Sequence, residues 1–126
     1  MTFILGARSK KQLQGVHPDL VAVVERAVEL TEVDFTVLEG VRTRAKQRAL
    51  VAAGASQTMD SRHLTGHAVD LGAYVGGKVR WDWPLYTKIA IAMKRAAKEL
   101  NIPVEWGGNW KSFKDGPHFQ LSRRYK

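Results

Sequence analysis

The spacing of hydrophobic residues changes along the chain, and each change predicts an element. Over residues 18–31, Leu20, Val23, Val24, Ala27 and Leu30 recur at three- and four-residue intervals. That period marks an amphipathic helix with one buried stripe, and Pro18 stands where a first helical turn tolerates it. Residues 35–39 (FTVLE) are β-branched and aromatic, which predicts a strand. After Gly40, Thr43 is placed to cap a helix over about Arg44 to Ala53, and Gly54 to end it in the left-handed conformation. Residues 54–66 are polar and bounded by glycine, so they read as a loop. Residues 67–71 form a short strand, and Gly76-Gly77 a turn. Asp82 is expected to cap a third helix from about Pro84 to Leu100, with Leu85, Ile89, Ala92, Met93, Ala96 and Leu100 on one face. Asn101 and Pro103 stop it. Residues 104–106 and 117–121 read as strands around a loop over 109–116, and the basic tail after Leu121 is expected to fray. Mixed helices and a few short strands give the class α+β: about three helices on a small antiparallel sheet.

Composition narrows the picture. A length of 126 residues fits one domain with one core, with no room for a second. The chain contains no cysteine, so disulfides and thiolate metal sites are excluded, and any metal must be held by imidazole and carboxylate. No run approaches the roughly 18 apolar residues of a membrane span. The first twenty residues put a short apolar patch before their charge, the reverse of a secretory signal. The chain is therefore expected to stay in the cytoplasm unless released. A net charge of +8 favours a polyanionic partner: nucleic acid, anionic lipid or an acidic wall polymer.

Candidate chemistry concentrates in two segments. One runs from Ser61 to Asp70 (SRHLTGHAVD), the other from Asp115 to Phe119 (DGPHF). A catalytic zinc takes three nitrogen or oxygen ligands and keeps one position open. His63, Asp70 and His118 supply that set, with Gly66 letting the chain turn between the first two. The competing assignment pairs His63 with His67, at the spacing of two ligands on one helical turn as in H-E-x-x-H. However, Leu64 stands where that motif has its glutamate, and Thr65 and Gly66 weaken a helix.

A hydrolase also needs a proton carrier. Asp115, three residues before His118, suits that role. Its other reading is an Asx turn before Gly116 and Pro117. Arg42, or its neighbour Arg44, is a candidate for stabilising negative charge on a reacting oxygen, and either is equally compatible with a plain surface arginine. Ser61 and Gln47 are candidate hydrogen-bonding residues toward substrate. Trp106 and Trp110 flank Gly107-Gly108 near the second segment and are candidate cleft walls, although core packing is the default for tryptophan. His17 and His67 are read as surface residues or as supports behind the ligands.

Ser61-x-His63-x-x-Gly66-x-Ala68-x-Asp70 followed by Asp115-x-x-His118 resembles the VanY-like D-alanyl-D-alanine carboxypeptidase superfamily of zinc peptidases. Gly40-Val-Arg42-Thr43, Trp106-Gly-Gly108 and Trp110-Lys-Ser-Phe-Lys-Asp115 are similar to the L-alanyl-D-glutamate endopeptidase branch, used as phage endolysins. The likeness runs from about Val37 to Leu121. It implies zinc on His63, Asp70 and His118, catalysis by Asp115, Arg42 acting on substrate, and the L-Ala–D-Glu bond of peptidoglycan as target. It places no calcium site. It also implies a monomer that waits in the host cytoplasm for a holin-type partner. A separate wall-binding domain is not expected, and the +8 charge is a candidate substitute. Two other readings stay open. One is a D,D-carboxypeptidase on the same scaffold. The other is a basic nucleic-acid-binding protein, against which the basic residues are scattered without a recognised motif.

Overall fold

Nine regular elements and two single turns of 3-10 helix follow one another in the computed structural model, which describes residues 2–112 and 114–125. They are α1 (Ala7–Gln12), α2 (Pro18–Leu30), β1 (Phe35–Glu39), α3 (Arg44–Ala52), β2 (Ala68–Val75), β3 (Lys78–Arg80), α4 (Trp83–Leu100), β4 (Val104–Trp106) and β5 (His118–Leu121). The 3-10 turns are Arg62–Thr65 and Gly107–Asn109.

The sheet is antiparallel throughout, in the order β1-β2-β5-β4, with β3 paired to the distal end of β2. Side chains alternate across a strand, and that alternation divides the molecule. Val69, Leu71, Phe119 and Leu121 are buried among the core residues of α2 and α4. Their neighbours Asp70, His118 and Gln120 therefore project from the opposite face. The stripe predicted on α2 is real: Leu20, Val23, Val24 and Ala27 are completely buried. Burying each such leucine or valine contributes about 1.5–3 kcal/mol.

The expected class holds, with differences in detail. There are four helices among the described residues rather than three. The additional one, α1, buries only Ser9, so it carries no hydrophobic period to detect. Strand β2 runs on to Val75 and turns back through Gly76-Gly77 into β3; that three-residue strand is too short for a pattern. Thr43 caps α3 by accepting from the Lys46 amide, and Asn101 ends α4 in the left-handed conformation. Asp82 occupies the expected cap position, but its carboxylate pairs with Arg80 at 2.7 Å instead of a helix amide. The tail is tied down through Tyr125, whose hydroxyl donates to Asp19, and through the Arg123–Asp60 ion pair at 3.1 Å. Lys126 lies outside the described residues.

Candidate functional site

His63 reaches the site from the 3-10 turn. Ser61 caps that turn by accepting from the His63 amide, and Gly66 closes it at φ +76°. A side chain at Gly66 would be strained there and would also lie 2.6 Å from the Gly15 carbonyl oxygen. Asp70 and His118 are register partners on β2 and β5, so adjacent strands deliver both to one spot.

His63 Nε2 lies 3.2 Å and His118 Nδ1 3.3 Å from the same oxygen, Asp70 Oδ1. The two imidazoles are 5.0 Å apart and nearly perpendicular. Both histidines are buried. The far nitrogen of His63, Nδ1, is 2.8 Å from the Gly40 carbonyl oxygen. A carbonyl only accepts, so Nδ1 carries a hydrogen, and Nε2 is the nitrogen turned toward Asp70. Two imidazole nitrogens and a carboxylate converge on one point, a donor set of the kind that zinc takes and one that could hold a metal ion here. Burial alone would raise the Asp70 carboxyl, but hydrogen bonds with His118 and His63 hold it well below the usual carboxylate range. Burial would likewise lower His118, yet its bonds to Asp70 keep it above the ordinary imidazole value.

These three residues lie in the wall of a cleft of ≈ 580 Å³, together with Arg42, Ser61, Trp110 and Asp115. Asp115 is half-buried beside the group. Burial raises its carboxyl above the ordinary aspartate value, and the nearby charge of Asp70 raises it further. Its backbone is pinned by a bond from its amide to the Gly107 carbonyl, 3.0 Å, and its own carbonyl accepts from the His118 amide, 3.2 Å. The Trp110 ring packs 5.1 Å from the His118 ring.

Arg42 is held on two sides. Its Nε donates to Glu39, and Nη1 donates to Gln47 Oε1 at 2.8 Å. Nη2 stands 3.7 Å from Asp70 Oδ2. Glu39 also accepts from Lys46. Burial would raise the Glu39 carboxyl, but the Lys46 and Arg42 bonds outweigh it and keep it low. Arg44 is exposed at the start of α3.

Two expectations change here. Gln47 is completely buried and does not face the cleft. Its amide nitrogen donates to Ser56 Oγ (2.8 Å) and the Thr58 carbonyl (2.6 Å), so it joins the 54–60 loop to Arg42. Trp106 is no cleft wall. Strand alternation turns Glu105 toward the cleft and Trp106 the other way, where it stacks on Phe119 under Lys94. His67 is separate from the metal group; it bonds Thr65 and packs 5.2 Å from His17. His17 in turn caps α2 by accepting from the Asp19 amide.

Sequence reasoning missed Glu39, Glu105 and Gln120. Gln120 was within reach, because it lies two residues beyond His118 on a strand and so shares its face. Glu39 was not, since its pairing depends on how the chain folds back after β1.

Comparison with known proteins follows the same geometry. A profile of the family described as phage L-alanyl-D-glutamate peptidase matches residues 1–122. The chain is similar to the L-alanyl-D-glutamate peptidase of Escherichia phage T5, 39% identical over 119 residues, covering 91% of this chain and 87% of that protein. It is also 34% identical over 125 residues to the L-alanyl-D-glutamate peptidase of Listeria phage A118, covering 97% of this chain and 43% of that longer protein. Among solved structures, the L-Ala D-Glu endopeptidase ChiX of Serratia marcescens matches with a TM-score of 0.90 and 58% identity, over 94% of this chain and 89% of the other.

Proposed function

The chain belongs to the phage L-alanyl-D-glutamate peptidase family, and on that premise we propose that it is a zinc endopeptidase of bacterial peptidoglycan. It hydrolyses the L-Ala–D-Glu bond of the stem peptide and thereby lyses the cell. The observation that carries the reading is the convergence of His63 Nε2, Asp70 Oδ1 and His118 Nδ1 beside the carboxyl of Asp115.

In this reading His63, Asp70 and His118 hold the zinc. Zinc in such a site supplies Lewis acidity toward a carbonyl oxygen and lowers the pKa of water to about 7. The protein's own residues do the rest. Asp115 takes a proton from the attacking water as oxygen adds to the L-Ala carbonyl carbon. It then delivers that proton to the D-Glu amine as the C–N bond breaks. The elevated carboxyl of Asp115 suits it to both halves of that transfer. Arg42, its guanidinium aimed by Glu39 and Gln47, offsets negative charge on the carbonyl oxygen. Ser61 fixes the turn that carries His63.

The enzyme acts as a monomer, and a holin-type partner gives it access to the wall. The decisive experiment measures bound metal and then identifies the peptides released from purified peptidoglycan by mass spectrometry. One zinc per chain and new D-Glu amino termini are expected. Free D-alanine as the main product would instead assign a D,D-carboxypeptidase, and salt-sensitive DNA binding without cleavage would remove the peptidase reading.

A further inference from the structure

Two polar residues on the cleft face are left unused by this mechanism, and both lie behind a metal ligand. Gln120 follows His118 by two positions on β5 and is buried. Its register partner on β4 is Glu105. Gln120 Oε1 lies 2.9 Å from His118 Nε2, and Gln120 Nε2 lies 3.3 Å from Glu105 Oε1.

The direction of these bonds follows from chemistry. A carboxylate oxygen accepts, and the bond runs from Gln120 Nε2 to Glu105 Oε1. Gln120 must therefore turn its amino group toward Glu105. Its carbonyl oxygen then faces His118, and that oxygen also only accepts. His118 must in consequence carry its hydrogen on Nε2. Nδ1 is then the nitrogen that faces Asp70 Oδ1, at 3.3 Å, and the one available to a metal. His63 is fixed in the opposite sense, with hydrogen on Nδ1 and Nε2 turned inward.

We propose that Glu105 and Gln120 form a relay that positions His118 and sets its tautomer, so that the metal is bound through Nδ1 of His118 and Nε2 of His63. The inference rests on the metal-centre reading of the proposed function. Glu105 and Gln120 are positioning residues: neither meets the metal, and each acts through the imidazole. Hydrogen bonds behind a ligating histidine fix its ring and raise its basicity, and their loss typically costs 10–100-fold in metal affinity.

The test uses the full chain and zinc alone. Zinc dissociation constants come from competition with a chromophoric chelator, and histidine tautomers from long-range proton–nitrogen NMR. Gln120→Leu should weaken zinc binding by about 10–100-fold. Gln120→Glu combined with Glu105→Gln exchanges carboxylate and amide but keeps an acceptor against His118 Nε2, and should regain most of the loss. A merely space-filling glutamine predicts little loss in Gln120→Leu, whose side chain has a similar volume. In the unsubstituted chain, His118 should show hydrogen on Nε2 both with and without zinc. Zinc binding by Gln120→Leu within twofold of the unsubstituted chain overturns the relay, as does zinc bound through His118 Nε2. Should Gln120→Leu not fold, the tautomer measurement decides alone. A chain that takes up no zinc overturns the metal reading itself, a result distinct from tight binding that ignores Gln120.

Discussion

Asp115 and Gln47 show how single side chains divide the work of the cleft. In the proposed mechanism Asp115 acts only once substrate is present. Asp115→Asn should therefore keep the fold and the zinc content while turnover falls by about 10²–10⁴-fold; metal analysis beside peptide-release assays checks both halves. On the same proposal this residue sets the acid limb of the rate. It must be ionised to accept a proton, and burial holds its carboxyl above the ordinary 3.8. Activity should thus begin to fall at a higher pH than an exposed aspartate would dictate, and Asp115→Glu should move that limb. Gln47 acts at one remove. It grips Arg42 and the Thr58 carbonyl from a completely buried position. Gln47→Leu leaves those partners unsatisfied, which costs about 1–3 kcal/mol, and frees the guanidinium to wander. Loss of thermal stability together with a lower kcat is expected; unchanged kcat would detach Gln47 from Arg42.

At the scale of elements, the centre depends on strand pairing and on one close approach. The β2–β5 register sets Asp70 opposite His118, so a slip of β5 by one residue would turn His118 to the core face. The approach involves Gly40, whose carbonyl anchors His63. A Cβ at Gly40 would come within 2.0 Å of the Gln12 carbonyl oxygen at the end of α1. Gly40→Ala must push α1 away or shift the acceptor of His63. We expect about 1–3 kcal/mol of destabilisation together with weaker zinc binding, read by thermal melting and chelator competition. Stability lost with zinc affinity untouched would show that α1 moves and the anchor does not. Helix α1 thus has a purpose its sequence conceals: it packs along β1, with Ser9 accepting from the Val37 amide, and so backs the anchor of a ligand.

For the whole molecule, the proposed metal and the net charge set the expected response to solution conditions. Without zinc, Asp70 and His118 form a buried ion pair. Asp70 is held below its ordinary 3.8, so its contribution is present above that value and lost as pH falls through the lowered one. His118 is held above its ordinary 6.5, so its contribution is full below 6.5 and lost as pH rises through the raised value. The metal-free chain should therefore be most stable between these limits and weaken toward alkaline pH. Zinc needs deprotonated ligands, so the loaded chain should gain stability over the range where the metal-free chain loses it. Melting curves with and without chelator test this, and parallel pH profiles would remove the ion pair from the account. The net charge of +8 should draw the enzyme to anionic wall polymers through interactions that salt screens. Lysis of purified walls should fall between low and physiological ionic strength, whereas cleavage of a small soluble peptide should not.

Local pattern alone determined a large part of this protein. The stripe of α2, the limits of β1 and the stops at Gly54 and Asn101 all follow from residues within one turn of each other. The His63–Asp70–His118 group was legible for a related reason: a cysteine-free chain with four histidines offers few donor sets, and glycine and aspartate single out one that the fold brings together. Only the tertiary structure decided which face each residue meets. Trp106 and Glu105 are neighbours in sequence, yet β4 sends one to the core and the other to the cleft. Gln47 was readable as polar but not as buried, because its partners lie on a loop that returns nine to eleven residues later. Hydrophobic period and turn chemistry are properties of adjacent residues; register, burial and hydrogen-bond direction arise only when distant segments exclude water from one another.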